Sequence, residues 1–548
     1  MPHLVSQQPP PADYYAANLR LLLTEVSDRY HDLLDTDDRR FVSACLSASI
    51  PAQRLFARLL SRRGPWIRVD SLDYPEVGDN GHALEELKRA GLVAVDPVAP
   101  ADALLNLLTR PELNSLYPSI RERTKVEFIN RCVIRYTDSA IRRRLQHRIH
   151  WVCANAFGSF NVCRLLYFGY EQQDLSAFVV QDLGILRYEP YEIGPSTRPF
   201  DVRAQLDGYL RLRGLSLLSR RVDTVPGLAS QLLLGLWPEP GTRTEQRQRN
   251  KILLRLARWH ERRGELDEAL QCYGRATAHP ARVRRVRILK RLGDDCGANQ
   301  LVSHIAAAPW GAEEEDLARR YDQKQLGQKQ LGQKQRGRKQ DRNRPLTTLC
   351  QLSGAVPAGI EGHARRLLAS NVGTGWHLEN RLPQGLAGLL YWDEIYAPVK
   401  GAFTHRFQLG PRDLFWPDFA PARQTLLQAR TEMLSSPGAV ARRLKQVWAA
   451  KTGTANLLVN WQAFSPQLVA TLAQQVPADA LLRLAARTID NLHRLRTGFP
   501  DLLMVYGPGA YEFVEVKGPG DQLQPAQRVW LRELDELGLP NRVLSFLR

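Results

Sequence analysis

Sulfur is scarce in this chain. Its 548 residues hold seven cysteines and three methionines, and no two cysteines form a CxxC pair. Cys45, Cys132, Cys153, Cys163, Cys272, Cys296 and Cys350 are scattered and odd in number. That argues against a disulfide framework and suits packing residues in a reducing compartment. His147, His150 and Cys153 recur at three-residue spacing and could align on a helix as zinc ligands, but no fourth ligand accompanies them. Long apolar runs are also missing, and MPHLVSQQPPPADYY has no basic segment leading into an apolar core. The expectation is a soluble, non-secreted protein with no membrane partner. Acidic residues are in deficit as well: 57 Asp and Glu face 75 Lys and Arg, a formal net charge of +18. A nucleic acid is the partner this balance favours, ahead of charge kept for solubility and of a membrane surface.

The most evident boundary is the run from Gln323 to Arg344, where QKQLG, QKQLG and QKQRG repeat without a hydrophobic face. Before it the pattern is helical. RNKILLRLARWHERRGELDEALQCYGRA reads as two amphipathic helices broken at Gly264, a helical hairpin of tetratricopeptide type, and RVRRVRILKRLGD continues it. One such unit cannot bury its apolar face alone, so neighbouring pairs should stack on it. Nearer the start, HALEELKRAGLV and ADALLNLLTRPELNSL, with Lys88 and Arg89 at the edge of the intervening turn, resemble the small DNA-binding SAP fold. Arg142, Arg143 and Arg144 add a further positive face. After the repeat the pattern turns α/β. The chain is thus expected to divide into an N-terminal helical region (1–60), a SAP-like DNA-binding region (61–135), a tetratricopeptide-like scaffold (136–318), a basic linker (319–345) and a C-terminal α/β domain (346–548).

The chemistry is concentrated in FPDLLMVYGPGAYEFVEVKGPGD, residues 499–521. Leu502–Tyr506 and Tyr511–Val516 are β-forming segments around the turn residues Gly507-Pro508-Gly509, which predicts a hairpin. Alternation sends Phe513, Glu515 and Lys517 to one face and Val514 and Val516 to the other. Two explanations fit charges in so apolar a setting: a Glu515–Lys517 salt bridge, or a metal ion. Pro500-Asp501, thirteen residues and Glu515-Val516-Lys517 form the pattern PD-x13-E-x-K. Asp501 and Glu515 can offer oxygen to a hard divalent cation from adjacent strands, and Lys517 can orient a water or stabilise charge on a phosphate. Pairing counted outward from Tyr506 and Tyr511 sets Asp501 against Val516, so a shared site needs a bulge near Gly507–Gly509 or at Pro500-Asp501. PAQRVWLRELDELG should follow as a helix that leaves Gln527 facing the charged side, and NRVLSFLR as a last strand.

GFPDLLM, VEVKGPGD and Gln527-x-x-Trp530-Leu531 resemble the VRR-NUC branch of the PD-(D/E)xK nucleases, and the order of regions resembles the Fanconi-associated nuclease family over most of the chain. The resemblance implies a multidomain, mainly α protein ending in a restriction-endonuclease-like α/β domain. It further implies a metal-dependent phosphodiesterase that cuts 5′ flaps and branched DNA, as endonuclease or 5′–3′ exonuclease, in interstrand crosslink repair. Catalysis would rest on Asp501, Glu515, Lys517 and Gln527. One or two Mg²⁺ or Mn²⁺ ions would be held by Glu379, Asp501, Glu515 and the Val516 carbonyl. Asp393 and Glu394 compete with Glu379 for the earlier acidic position. Without a CxxC nothing matches the family's ubiquitin-binding zinc finger, so ubiquitin is not an expected partner. A monomer is expected, in the cytoplasm at the nucleoid of a bacterium or in a eukaryotic nucleus. A Holliday-junction resolvase or defence endonuclease of the same fold, and a non-catalytic scaffold for branched DNA, are the competing readings.

Overall fold

The computed structural model describes residues 13–62, 64–154, 157–169, 186–225, 227–236, 238–331, 346–351, 359–369 and 373–547; for 323–331 only the backbone is described. The chain is mainly helical, with a mixed sheet near its C-terminus, and divides into two compact units. The first comprises Met1–Arg187, Ile193–Pro199 and Thr404–Phe407, and the second Tyr188–Glu192, Phe200–Phe403 and Gln408–Arg548. Among the described residues no helix is long and apolar enough to cross a membrane.

In the first unit, helices Tyr14–Tyr30, Thr36–Ser47, Ile50–Ser61 and Asn80–Arg89 accompany a small antiparallel sheet. Its strands are β1 (Trp66–Arg68), β2 (Val93–Val95) and β3 (Trp151–Ala154), in the order β1-β3-β2. Asp35 starts the second helix through a capping box with Asp38, satisfying amides that have no partner within the helix. ADALLNLLTRPELNSL forms two helices, Ala101–Asn106 and Arg110–Leu116, because Thr109 and Glu112 build a second capping box with Pro111 in the first turn. The zinc alignment does not survive. The Asp138–Gln146 helix ends before His147, His150 binds Asp96 through Nδ1 at 2.6 Å, and Cys153 lies in β3 opposite Trp66.

The second unit begins with stacked helices. Arg243–Arg263 and Leu266–Arg275 are separated at Gly264, whose φ of +80° is the left-handed C-cap conformation that glycine adopts without strain. Ala281–Arg291 and Asp295–Ala307 follow, and Leu253, Leu256, Ala269, Tyr273 and Ile288 form the core between them. The helix starting at Ala312 continues to Leu331, through the first part of the segment expected to be linker. Glu313, Glu314 and Glu315 oppose the positive end of its dipole, and the Gln, Lys and Leu residues after them are good helix formers. The remainder, 332–345, lies outside the described residues.

The sheet that follows has the order β4-β8-β7-β6-β5. Its strands are β4 (Thr347–Gln351), β5 (Thr374–His377), β6 (Leu502–Gly507), β7 (Ala510–Lys517) and β8 (Asn541–Leu547). β4, β8 and β7 run parallel, and β7, β6 and β5 antiparallel. Leu502, Met504, Val514 and Val516 pack on one face with Ala364 of the Gly359–Ala369 helix. On the other, Phe499 meets both Phe513 and Trp530, the latter in the Pro525–Glu536 helix.

That last helix is gripped by the stacked helices through ion pairs. Both Asp316 oxygens accept from Arg528, at 2.6 and 2.8 Å, and Glu315 accepts from Arg532 at 2.8 Å and from Arg494. Asp316 is 5% exposed, so removing it leaves Arg528 partly buried without its bidentate partner. Asp316→Ala is expected to raise hydrogen exchange across 525–536 by about tenfold or more, from a loss of about 2 kcal/mol. Unchanged protection would show that the helix is held by its apolar face alone.

Candidate metal and catalytic centre

The hairpin does not pair as a simple ladder. Leu502 faces Val514 and Val505 faces Tyr511, but Gly507 faces Ala510, with a register shift between Val505 and Gly507. Tyr506 is the extra residue. Continuing the observed register one step past Leu502 sets Asp501 against Glu515, so the shift supplies the face change that a shared site needs.

Two more backbone features close the site. The Asp501 carbonyl accepts from the amides of Leu378 and Glu379, at 3.0 and 3.2 Å. Glu379 takes a φ of +47°, costly for a residue with a Cβ, and thereby turns the chain sharply between β5 and the Arg381–Leu390 helix. Gly498 lets the strand lead approach the Pro525–Glu536 helix: a Cβ there would lie 2.5 Å from the Ala526 carbonyl carbon and 2.7 Å from the Gln527 amide nitrogen.

The side chains then converge. Glu515 is 1% exposed. Its Oε1 accepts from Gln527 Nε2 at 2.6 Å and lies 2.9 Å from Lys517 Nζ, while Oε2 is buried without a hydrogen-bond partner. Lys517 also donates to Gln527 Oε1 at 2.9 Å, so acid, amide and amine form a closed triangle. Asp501 Oδ2 accepts the Val516 amide at 2.8 Å. His377, Glu379 and Asp501 each bring a ligand atom within 4.8 Å of the others, with His377 Nε2 3.1 Å from Glu379 Oε1. Asp393 and Glu394 are engaged elsewhere: Arg430 binds both at 2.8 Å, and Arg443 binds Asp393 at 2.9 Å.

Burial pushes the Glu515 carboxyl up to about 7, with the Asp501 charge adding to the rise and Lys517 opposing it. Burial also raises Asp501, against the Val516 hydrogen bond. Carboxylates crowded in low dielectric, one oxygen unsatisfied, make a donor set suited to a hard divalent cation. His377 was not singled out from the sequence, though its Nε2 lies 3.1 Å from Glu379 Oε1 and it offers a ring nitrogen within 4.8 Å of an Asp501 oxygen. The only signal was its place two residues before Glu379, which no spacing rule marks. Of the DNA-binding residues expected in the first unit, Arg89 and Arg143 are exposed and Lys88 pairs with Glu85. Arg142 and Arg144 donate to the carbonyls of Ala99 and Leu116, and Arg144 lies over Tyr117.

Comparison with known proteins gives this geometry a context. The VRR-NUC domain profile matches residues 435–545, and that of "FAN1, HTH domain" matches residues 13–94, across the 60/61 boundary drawn from sequence. A Fanconi-associated nuclease 1 homolog of Pseudomonas aeruginosa is 31% identical, over 96% of this chain and 94% of its own. One of Arabidopsis thaliana is 26% identical, over 97% of this chain and 67% of its own. A crystal structure described as paFAN1 bound to 2nt 5′ flap DNA with gap superposes with a TM-score of 0.82 at 29% identity, covering 98% of both chains.

Glu515→Gln separates stability from chemistry. In the metal-free protein the folded-state pKa, about 7, lies above the ordinary value of 4.5, so the carboxyl costs nothing below pH 4.5 and its full penalty is present above pH 7. The variant should therefore melt higher than wild type at pH 8 in EDTA, by about 3 kcal/mol, with the gain fading towards pH 4.5. Lower stability at pH 8 would mean that the Lys517 pair outweighs burial.

Proposed function

The chain belongs to the Fanconi-associated nuclease family and is a nuclease of the VRR-NUC type, and from that premise we propose that it cuts phosphodiester bonds in duplex DNA near 5′ flaps and other branches, in interstrand crosslink repair. The observation that carries the reading is the convergence of Asp501, the buried Glu515 and Glu379 beside Lys517 and Gln527. The solved relative on flap DNA, alike over nearly its whole length, supports the choice of substrate. A SAP-like region and a tetratricopeptide-like scaffold would each bind duplex through phosphates, leaving bases unread. A bent or nicked branch point fits such a surface with less deformation than intact duplex. The protein would act as a monomer, in the cytoplasm at the nucleoid if bacterial and in the nucleus if eukaryotic.

The family requires a divalent metal, and we assign Mg²⁺ or Mn²⁺, held by Glu379, Asp501, Glu515 and the Val516 carbonyl. When bound, the ion supplies Lewis-acid polarisation of the phosphodiester and activation of the attacking water. The protein's own groups do the rest. Asp501 is oriented by the Val516 amide, which donates to its Oδ2. Gln527 holds Glu515 and Lys517 together, so the amine stays positioned to donate towards a phosphate oxygen as negative charge develops there.

Asp501→Ala and Lys517→Ala should each abolish cleavage of a 5′ flap in Mn²⁺, to below a hundredth of wild type, while DNA affinity stays within a few-fold because binding is spread over many cations. A tenth of wild-type turnover in both variants would refute the catalytic assignment. The same assay on flaps, forks, four-way junctions and duplexes separates the flap reading from a resolvase.

A further inference from the structure

The strongest feature that the metal centre leaves unexplained is a basic groove in the second unit. Lys251, Arg255, Arg258 and Arg262 are spaced i, i+4, i+7 and i+11 on the Arg243–Arg263 helix, so they fall on one face along about 16 Å of its length. Arg284 and Arg291 of the Ala281–Arg291 helix line the same open groove, of about 830 Å³. One acid, Glu261, enters it and pairs with Arg284 at 3.3 Å. Lys251, Arg258, Arg262 and Arg291 are exposed, and among the described residues none of them has an acidic partner. Arg255 is held from below, donating to the Ser216 carbonyl at 2.9 Å and to Ser219 Oγ, and it sits near another cation, Arg220.

A solvated helix face normally mixes signs, and like charges at i, i+4 repel one another. Here repulsion is tolerated along a whole helix face and reinforced from a second helix. Apolar lining is limited to Leu254 and Pro280, too little to seat the anchor side chains of an acidic peptide. A ligand with evenly repeating negative charge and no need of an apolar pocket fits better. We propose that these facing rows form a second phosphate-binding groove, sharing no residue with the metal centre, that takes the sugar-phosphate backbone of a duplex arm. The choice of duplex DNA rests on the nuclease reading above; the groove's preference for a repeating polyanion does not.

The test uses the full chain with Lys251, Arg258, Arg262 and Arg291 all changed to Glu, and a 30-base-pair DNA duplex in EDTA, so that binding is read without cleavage. Each phosphate contact contributes about 0.9 to the slope of log affinity against log salt. The variant should bind at least tenfold more weakly at 0.1 M salt, with the slope shallower by two or more. Changing Arg258, Arg262 and Arg291 to Lys should keep both, because charge rather than guanidinium geometry is what the backbone reads. If the four-Glu variant misfolds by circular dichroism, the four-Gln variant, which removes repulsion and keeps helix propensity, is measured instead and should show the same direction. Unchanged affinity and slope overturn the proposal. So does intact DNA binding with lost binding of polyglutamate, which would assign the groove to an acidic protein segment. Failure of the wild type to cut flaps in Mn²⁺ would remove the nuclease reading yet leave these binding measurements interpretable.

Discussion

Everything around β7 answers to one constraint: the Glu515 carboxylate has been taken out of water. A buried carboxylate costs several kcal/mol, roughly, unless charge and hydrogen bonds replace its hydration. Lys517 and Gln527 satisfy Oε1, while Oε2 stays unsatisfied among acidic neighbours, Asp501 and Glu379. A salt bridge alone would explain Lys517 but not a second and third acid beside the first. The excess of negative charge makes sense as a site completed by a cation, and the closed triangle holds Lys517 against Glu515 so that its charge is not withdrawn from the site.

The neighbourhood is built from local departures from regular geometry. A regular ladder would place Asp501 across from Val516, with its side chain on the opposite face from Glu515. The extra residue at Tyr506 corrects this at the turn end of the hairpin, several residues from the chemistry. Glu379 adopts a left-handed backbone, and Gly498 omits the Cβ that would collide with Ala526 and Gln527. The first changes the face that Asp501 presents, the second places a residue with a Cβ in a strained backbone conformation, and the third gives up a side chain for a close approach. Strained positions of this kind concentrate where function demands a fixed arrangement.

How far the sequence disclosed this depended on the range of each interaction. The hairpin, the helix after it and the need for a register shift were legible, because alternation, turn residues and pairing are local arithmetic. The break at Gly264 was legible for the same reason. The ion pairs joining Glu315 and Asp316 to Arg494, Arg528 and Arg532 were not: they span about 180 to 220 residues, and an acidic run before a low-complexity repeat reads as a solvated helix start. His377 escaped because a lone histidine on a short strand carries no spacing signal. The possible zinc alignment is not formed because the helix ends at Gln146 and the chain enters a strand at Trp151, so three-residue spacing no longer keeps one face.

Those long-range ion pairs change how the nuclease domain should be viewed. Gln527, which organises the triangle, sits one residue before Arg528, and Arg528 is clasped by both oxygens of Asp316. Glu315 of the same acidic run binds Arg532 one turn further along. The 525–536 helix is thus held on one side by the sheet's apolar face and on the other by the stacked helices. A helix anchored at both surfaces has little freedom to rotate, and rotation is the motion that would swing Gln527 away from Glu515. On this argument the stacked helices help to fix the side-chain triangle around Glu515, and residues 346–548 alone would keep Glu515, Lys517 and Gln527 while losing the Glu315 and Asp316 ion pairs that hold the 525–536 helix in place.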